Sequence, residues 1–520
     1  MNELTIVLDT ESKMPLYEQI YEYLKREMQN GAIMPGERLP STRSLAGFLQ
    51  VSRSTVDQAY AQLLAEGYLE SIPCKGYYAA DAKLLYRIGR GHLSAEEGSG
   101  NRESKPGKDR KQTSLSLSGK QENLSNKTDE YRYDFSVNGI DPEGSPANIW
   151  RKISKRILLD DTGELFRQGD PNGEESLRTA IAGYLYQARG VHCKKEQIVV
   201  GAGNDYLLML ISNLVGRDRV IGMENPTYKS AFDTFFNLGH KMVHVRMDAD
   251  GMCVDSVRES GAQIAYVMPS HQFPTGTVMP IGRRIQLLKW AGEGEERYII
   301  EDDYDSEFRY KGKPIPALRA IDSLDKVIYI GTFSKSISPA TRISYMVLPE
   351  TLMEKAGAMG HFYSQTVSKV DQKIIEVLLT EGYFERHLNR MRALYKSKQE
   401  ILLDSLKGMQ DVFSITGEDA GLHIVLNFVD GYKESELIQK AKEHGIRIYG
   451  LSEYLTDEKK RIRFPESQIC NKESMIVDEY KNATILLGFA TLPVKKIQEA
   501  AHILKNEVFS GHFWLPQTGR

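Results

Sequence analysis

Apolar positions along the chain change period twice. In the first stretch, Leu16, Ile20 and Leu24 recur at helical spacing through PLYEQIYEYLKREMQNG, and Gly31 stops the run. Pro35-Gly36 forms a turn. Ser41 then caps a short helix, STRSLAGFLQ, and Ser52 caps another, RSTVDQAYAQLLAEG. The apolar face of that second helix is Val56, Tyr60, Leu63 and Leu64, and Gly67 ends it. YLESIPCKGYYAA reads as two short strands with Pro73 to Gly76 at the tip. Helix, helix-turn-helix and β-hairpin in that order predict a winged helix over residues 1–82.

From about Tyr131 strand and helix patterns alternate. QIVVGAG, RVIGME, QIAYVMP, RYIIEDDYD and KVIYIGTFSK are strand-like, with helical patterns between them. This predicts an α/β domain over 131–350 with a mainly parallel sheet and helices on both faces. Over 351–511 long helical segments precede a smaller strand-containing part, AGLHIVLNF to ILLGFA, which predicts an α+β subdomain. Residues 83–130 differ from both neighbours. GRGHLSAEEGSGNRESKPGKDRKQTSLSLSGKQENLSNKT holds no aromatic residue and is rich in Gly, Ser, Lys, Asn and Gln, so it reads as a flexible linker.

The length of 520 residues suits this division. No apolar run approaches the ~18 residues of a membrane span. The acidic N-terminus lacks a signal-peptide core, so a cytoplasmic protein with no membrane partner is expected. Cys74, Cys193, Cys253 and Cys470 lie far apart with no CxxC spacing, which argues against a zinc site or a disulfide framework. The net charge of -3 does not by itself suggest nucleic acid. A DNA argument rests on where the cations sit.

They sit well. In a helix-turn-helix the first turn of the second helix meets base edges in the major groove. Here that turn carries Ser52, Arg53, Ser54 and Thr55, where Arg53 suits guanine and the hydroxyls suit phosphate or base contacts. Arg43 is placed for backbone phosphate and Lys75, at the hairpin tip, for the adjacent groove. Any one of these cations alone reads as ordinary surface charge. The expected partner is double-stranded DNA, read as two half-sites or repeats by a dimer.

A second constellation lies at the strand ends of the α/β domain. Lys335 follows a strand in GTFSKSISPATR, with Thr332 and Ser334 as hydroxyl donors and Arg342 seven residues beyond the lysine, placed to hold a phosphate. IIEDDYDSEF crowds carboxylates around Tyr304. Strand alternation puts Asp302 and Tyr304 on one face, which selects Asp302 over Asp303. GAGND ends a strand and opens a helix, so Gly203, Asn204 and Asp205 lie where backbone amides suit a phosphate. ENPTY brings Tyr228 to another strand end, and the turn SHQFPTG, with Gln272, faces the same crevice. A lysine for a Schiff base, an acid for a pyridine nitrogen, a phosphate cup and a flat ring to stack are what pyridoxal 5'-phosphate requires. Lys335 would be the catalytic lysine, Asp302 would meet the ring nitrogen and Tyr304 the ring hydroxyl.

GERLPSTRSLAGFLQVSRSTVDQAYAQLLAEGYLESIPCKGYYAA resembles the GntR-superfamily winged helix. From about Tyr131 to Phe509 the chain resembles class I/II, fold-type I aminotransferases. PSHQFPTGTVMPIGRRIQLLKWA, RYIIEDDYDSEFRY and VIYIGTFSKSISPATRISYMVLP make the whole similar to the MocR-type, pyridoxal-phosphate-dependent transcription regulators. The resemblance implies Lys335 as the internal aldimine, Tyr228 stacked on the ring, and a head-to-tail homodimer with sites between subunits. It also implies a small amino compound or B6 vitamer as effector. In the family's γ-aminobutyrate sensor two arginines grip the effector carboxylate. At the corresponding places this chain has Lys229 and Ser230, then Glu453. An acid opposes a docking carboxylate, so γ-aminobutyrate is disfavoured. Three alternatives stay open: Glu453 meets an amine, the effector is pyridoxal phosphate itself, or Lys229 rescues a carboxylate. Phe273 stands where aminotransferases usually place Asn before PTG, which favours a sensor over an active aminotransferase with an appended DNA-binding domain.

Overall fold

The computed structural model describes residues 6, 8, 14–72, 76–80, 131–160, 163–311, 315–359, 364–456 and 482–510. The expected linker, Lys75, Cys74 and Cys470 lie outside the described residues.

The N-terminal module has α1 (Leu16–Gln29), α2 (Thr42–Leu49), α3 (Arg53–Ala65), β1 (Leu69–Ile72) and β2 (Gly76–Ala79). The helical period is realised as packing: Ile20, Leu24, Leu45, Val56, Tyr60 and Leu63 form one core. Ser41 and Ser52 cap their helices by accepting the Ser44 and Thr55 amides. β1 and β2 pair antiparallel as the wing. Beneath this core lies a buried carboxylate, Glu66. It accepts from the Tyr21 hydroxyl at 2.7 Å, the Lys25 ammonium at 2.8 Å and the Gln62 amide at 2.6 Å.

The next part runs β3 (Tyr133–Asp134), α4 (Ala147–Asp160), α5 (Glu175–Arg189), β4 (Ile198–Gly201), α6 (Asn204–Val215), β5 (Val220–Glu224), α7 (Lys229–Asn237) and β6 (Lys241–Val245). It continues with β7 (Met247–Asp248), β8 (Gly251–Met252), α8 (Val254–Ser260), β9 (Ile264–Val267), α9 (Ile281–Gly292), β10 (Tyr298–Asp303), β11 (Val327–Thr332) and β12 (Ser344–Val347). Seven strands form the sheet in the order β4-β12-β11-β10-β9-β5-β6. Only β12 runs against its neighbours β11 and β4. Both faces are covered, and the period of two sorts them: Ile198 and Val200 of β4 pack into one cluster, Val199 into the other. The five expected strands are present. β6 and β12 were not anticipated as sheet members.

The last part holds α10 (Glu350–Met359), α11 (Lys369–Thr380), α12 (Tyr383–Ser405), β13 (Phe413–Thr416), β14 (His423–Phe428), α13 (Glu434–Glu443), β15 (Ile446–Arg447), β16 (Tyr449–Gly450), β17 (Thr484–Gly488) and α14 (Val494–Ile503). Its sheet is antiparallel in the order β13-β14-β17-β16. A buried ion pair from Lys398 of α12 to Asp141 ties this part to the segment after β3. No helix among the described residues is long and apolar enough to cross a membrane.

The winged helix meets the sheet domain at the start of α9. The Ile281 amide, at the start of α9, donates to the Glu66 carbonyl at 3.2 Å. Gly67 beside it has φ +74°, and a Cβ there would lie 2.8 Å from the Ile281 nitrogen and 3.2 Å from the Pro280 Cβ. Both the backbone conformation and the close approach therefore call for glycine. Gly67→Ala is expected to cost roughly 1–2 kcal/mol for the left-handed backbone alone and to speed hydrogen exchange at the Ile281 amide. An Ile281 amide still protected as in the wild type would contradict this docking.

Candidate cofactor and DNA sites

β11 ends in Thr332, and the chain turns so that Lys335 projects back over the carboxyl edge of the sheet. Its amine donates to the Val137 carbonyl at 3.2 Å. Burial pushes the amine down to about 8, opposed by the Asp305 carboxylate. A lysine so depressed is about half neutral near pH 8, and the neutral form is the state that attacks a carbonyl.

The two adjacent acids of β10 divide cleanly. Asp303 faces the α5 side, where it accepts from the Arg189 guanidinium at 2.7 Å and the Tyr329 hydroxyl at 2.6 Å. Arg189 in turn donates to the Ser270 hydroxyl and the Ile315 carbonyl. Asp303 is thus spent on a buried ion pair. Asp302 faces the crevice, where its Oδ2 accepts from the Tyr266 hydroxyl and from the Asn204 amide at 3.1 Å. Burial pushes Asp302 up to about 6, against the pull of those two donors. A cationic ring nitrogen would return it to the ionised state.

Opposite these acids, α6 begins at Gly203 with no side chain capping it. Gly203 has φ +88°, and a Cβ on it would meet Arg342 Nη2 at 2.4 Å. Arg342 lies against this glycine, 3.2 Å from Asp205. Thr332 and Ser334 hydroxyls meet at 3.0 Å, and Ser344 donates to Thr332 at 2.9 Å. The Gly203 amide is taken by the Gly201 carbonyl at 2.9 Å. The helix-start amides of Asn204 and Asp205, an arginine and hydroxyls make a cup with the chemistry of a phosphate site. The side chains of two of these residues are engaged by protein. The Asn204 side chain turns to Asp302, and Asp205 contributes an anion paired with Arg342.

Tyr228 precedes α7 and packs edge-on to Phe273 with ring centroids 6.2 Å apart. Phe273 is the hub of an aromatic cluster that also touches Tyr304, His423 and Tyr454. Gln272 is engaged by protein: its amide donates to the Pro226 carbonyl at 3.0 Å and its oxygen accepts from the Thr275 amide at 2.9 Å. Of the expected effector residues, Ser230 donates to Asp205 at 3.4 Å. Burial pushes Glu453 up, with Glu434 adding to the rise while Arg447 and Lys229 pull it down.

Sequence reasoning passed over His271 and Tyr266. Both lie at the end of β9 or in the turn after it, and the partner of each is a β10 or post-β10 acid. The crowding of carboxylates around Tyr304 was the available signal, because buried acids require donors.

In the winged helix, Arg43 and Arg53 are exposed, and Arg53 lies 3.4 Å from Asp57 one turn on. The Ser52 hydroxyl is bonded to Ser54 at 2.7 Å and Thr55 at 2.8 Å, so these hydroxyls knit the helix start together. No group of His, Cys, Asp and Glu suited to a metal occurs among the described residues.

The chain matches the models for bacterial regulatory proteins of the gntR family over residues 16–78 and for aminotransferases of class I and II over residues 133–469. It is 40% identical over 453 residues, 86% of this chain and 92% of the relative, to the HTH-type transcriptional regulator YdeL of Bacillus subtilis (strain 168). It is 32% identical to the probable rhizopine catabolism regulatory protein MocR of Rhizobium meliloti, over 86% of this chain and 88% of that protein. The Pyrococcus horikoshii kynurenine aminotransferase solved in complex with PMP shares the fold, with a TM-score of 0.61 at 23% identity over 73% of this chain and 91% of that one. A gntR-type reading head joined to an aminotransferase fold, with whole-length relatives of the same composition, places the chain in the MocR-type family of DNA-binding, HTH-type transcriptional regulators.

Proposed function

We propose that this regulator senses through pyridoxal phosphate held at the carboxyl edge of its seven-stranded sheet, and that occupancy of that site changes how the winged helix is presented to DNA. The observation that carries the reading is the convergence there of a depressed lysine, a buried acid and an arginine packed on a glycine. When bound, the cofactor supplies an aldehyde for primary amines and an electron-withdrawing ring. Lys335 anchors it, Asp302 keeps the ring nitrogen protonated, and Tyr228 covers one ring face. Arg342, Thr332, Ser334 and the helix-start amides of Asn204 and Asp205, beside Gly203, hold the phosphate. Phosphate binding draws Arg342 from Asp205.

The path to DNA is short. The turn bearing Gln272 and Phe273 runs through Met279 directly into Pro280 and Ile281, where the winged helix docks. A ligand that displaces Phe273 shifts this turn and the Glu66 contact with it. Such a ligand moves the equilibrium only by its difference in affinity for the two arrangements. Arg53 and Arg43 then meet operator DNA, with Ser52, Ser54 and Thr55 holding the helix start in shape. A homodimer reading two half-sites adds the contacts of a second module to those of the first.

The effector class follows from Lys229 and Glu453. The acid rejects an ω-carboxylate and accepts a second amine, so an effector with amino groups at both ends fits better than γ-aminobutyrate. Four outcomes are expected. Asp302→Ala should shift the cofactor's visible absorbance and weaken its retention with a small change in melting temperature, whereas Asp303→Ala should cost roughly 3–5 kcal/mol of stability by leaving Arg189 unpaired; equal effects on stability would contradict the division of the two acids. The initial rate of pyridoxal phosphate uptake should rise with pH as the Lys335 amine loses its proton and level off above about 8; a rate still climbing toward the pH of an ordinary lysine would contradict it. γ-Aminobutyrate should leave the absorbance of the loaded protein unchanged, and Glu453→Arg should create a response; a wild-type response at micromolar ligand removes the effector class. For DNA, Arg53→Ala should weaken operator binding by roughly 1–3 kcal/mol with the cofactor spectrum intact, and unchanged affinity in gel shifts would contradict its role.

A further inference from the structure

Behind the Tyr304 hydroxyl lies a buried polar pair outside the roles given so far. His271 Nδ1 is 2.9 Å from Asp305 Oδ2 and 2.9 Å from the Tyr304 hydroxyl. Both His271 and Asp305 are almost wholly buried, at 2% exposure each. The imidazole is wedged against backbone: a Cβ on Gly421 would come 2.0 Å from its Cε1 and 2.6 Å from its Nδ1. Its Nε2 is buried without a hydrogen-bond partner. The titratable and charged groups that face the ring are Asp305, Tyr304, His423 and, beyond them, Lys335. His423 donates to the Pro274 carbonyl at 2.9 Å, and burial holds it down to about 3, so it stays neutral.

A carboxylate only accepts, so the bond from Asp305 fixes the His271 proton on Nδ1. That N–H is shared between Asp305 and the Tyr304 oxygen. The phenol's own proton then has two acceptors in reach, Asp305 and whatever oxygen lies on the crevice side. The His271 N–H already satisfies Asp305 and weakens its claim. We propose that His271 and Asp305 are positioning residues for Tyr304, which turn its O–H toward the ring hydroxyl oxygen of the cofactor. This assignment rests on the cofactor reading above.

A donor at that oxygen stabilises the deprotonated chromophore and lowers its pKa. The experiment is a pH titration of the visible absorbance of the full-length protein loaded with pyridoxal phosphate. His271→Phe is expected to raise the midpoint by about one unit, a tenfold change in proton affinity, in the same direction as Tyr304→Phe. It should add nothing in a Tyr304→Phe background. His271→Asn, whose amide reaches the Nδ1 position, should stay near the wild type. A midpoint unmoved by His271→Phe, or a shift of equal size with and without Tyr304, overturns the assignment. If His271→Phe does not fold by circular dichroism, Asp305→Asn carries the test, and a shift indifferent to the presence of Tyr304 again overturns it. A wild-type protein that never turns yellow overturns the cofactor reading and this assignment with it. A yellow protein with an unmoved midpoint overturns this assignment alone.

Discussion

The account depends on one desolvated amine. Lys335 sits at the end of β11 with a backbone carbonyl as its hydrogen-bond partner and Asp305 as the charge that most favours its protonation. Burial wins over that charge, and the amine is left poised near neutrality. The neighbouring groups make sense only around this point. Asp302 is held ready by Tyr266 and Asn204, while Asp303 is occupied elsewhere by Arg189 and contributes to the fold. Two adjacent acids on one strand thus have separate roles because successive side chains of a strand face opposite sides of the sheet.

Regulation needs this local chemistry to reach a DNA-binding surface. The distance in sequence is large, but in space a single turn bridges it. Phe273 touches the aromatic rings of the crevice, and seven residues later Pro280 begins the helix whose first amide holds Glu66. Glu66 is no passive backbone contact. Its side chain gathers Tyr21, Lys25 and Gln62, so the docking point is continuous with the polar floor of the winged helix. Under the proposed function, a movement of the turn would meet a hydrogen-bonded cluster rather than an isolated backbone contact.

Much of this was legible in the residues. Helical spacing of Ile20, Leu24, Val56 and Leu63 gave the winged helix, and the apolar runs gave five of the seven sheet strands. The division of Asp302 and Asp303 between opposite faces followed from alternation alone. What escaped was what depends on tertiary proximity. β12 lies in the apolar run ISYMVL, which was passed over as a strand, and its antiparallel pairing depends on where the chain folds back. The bond from the Asn204 side chain to Asp302 joins positions 98 residues apart, and neither marks the other in the sequence. His271 pairs with an acid 34 residues away, and neither position announces the other. The contact between Gly67 and Ile281 joins two domains, so local sequence holds no trace of it beyond the glycine.

Reduction with borohydride makes a covalent record of where the cofactor is attached. The most direct measurement is peptide mass mapping of the full-length protein after loading with pyridoxal phosphate and reduction. The account predicts the phosphopyridoxyl mass on the peptide carrying Lys335, and on no other lysine at comparable yield. Label on a different lysine, or no label at all, would contradict it.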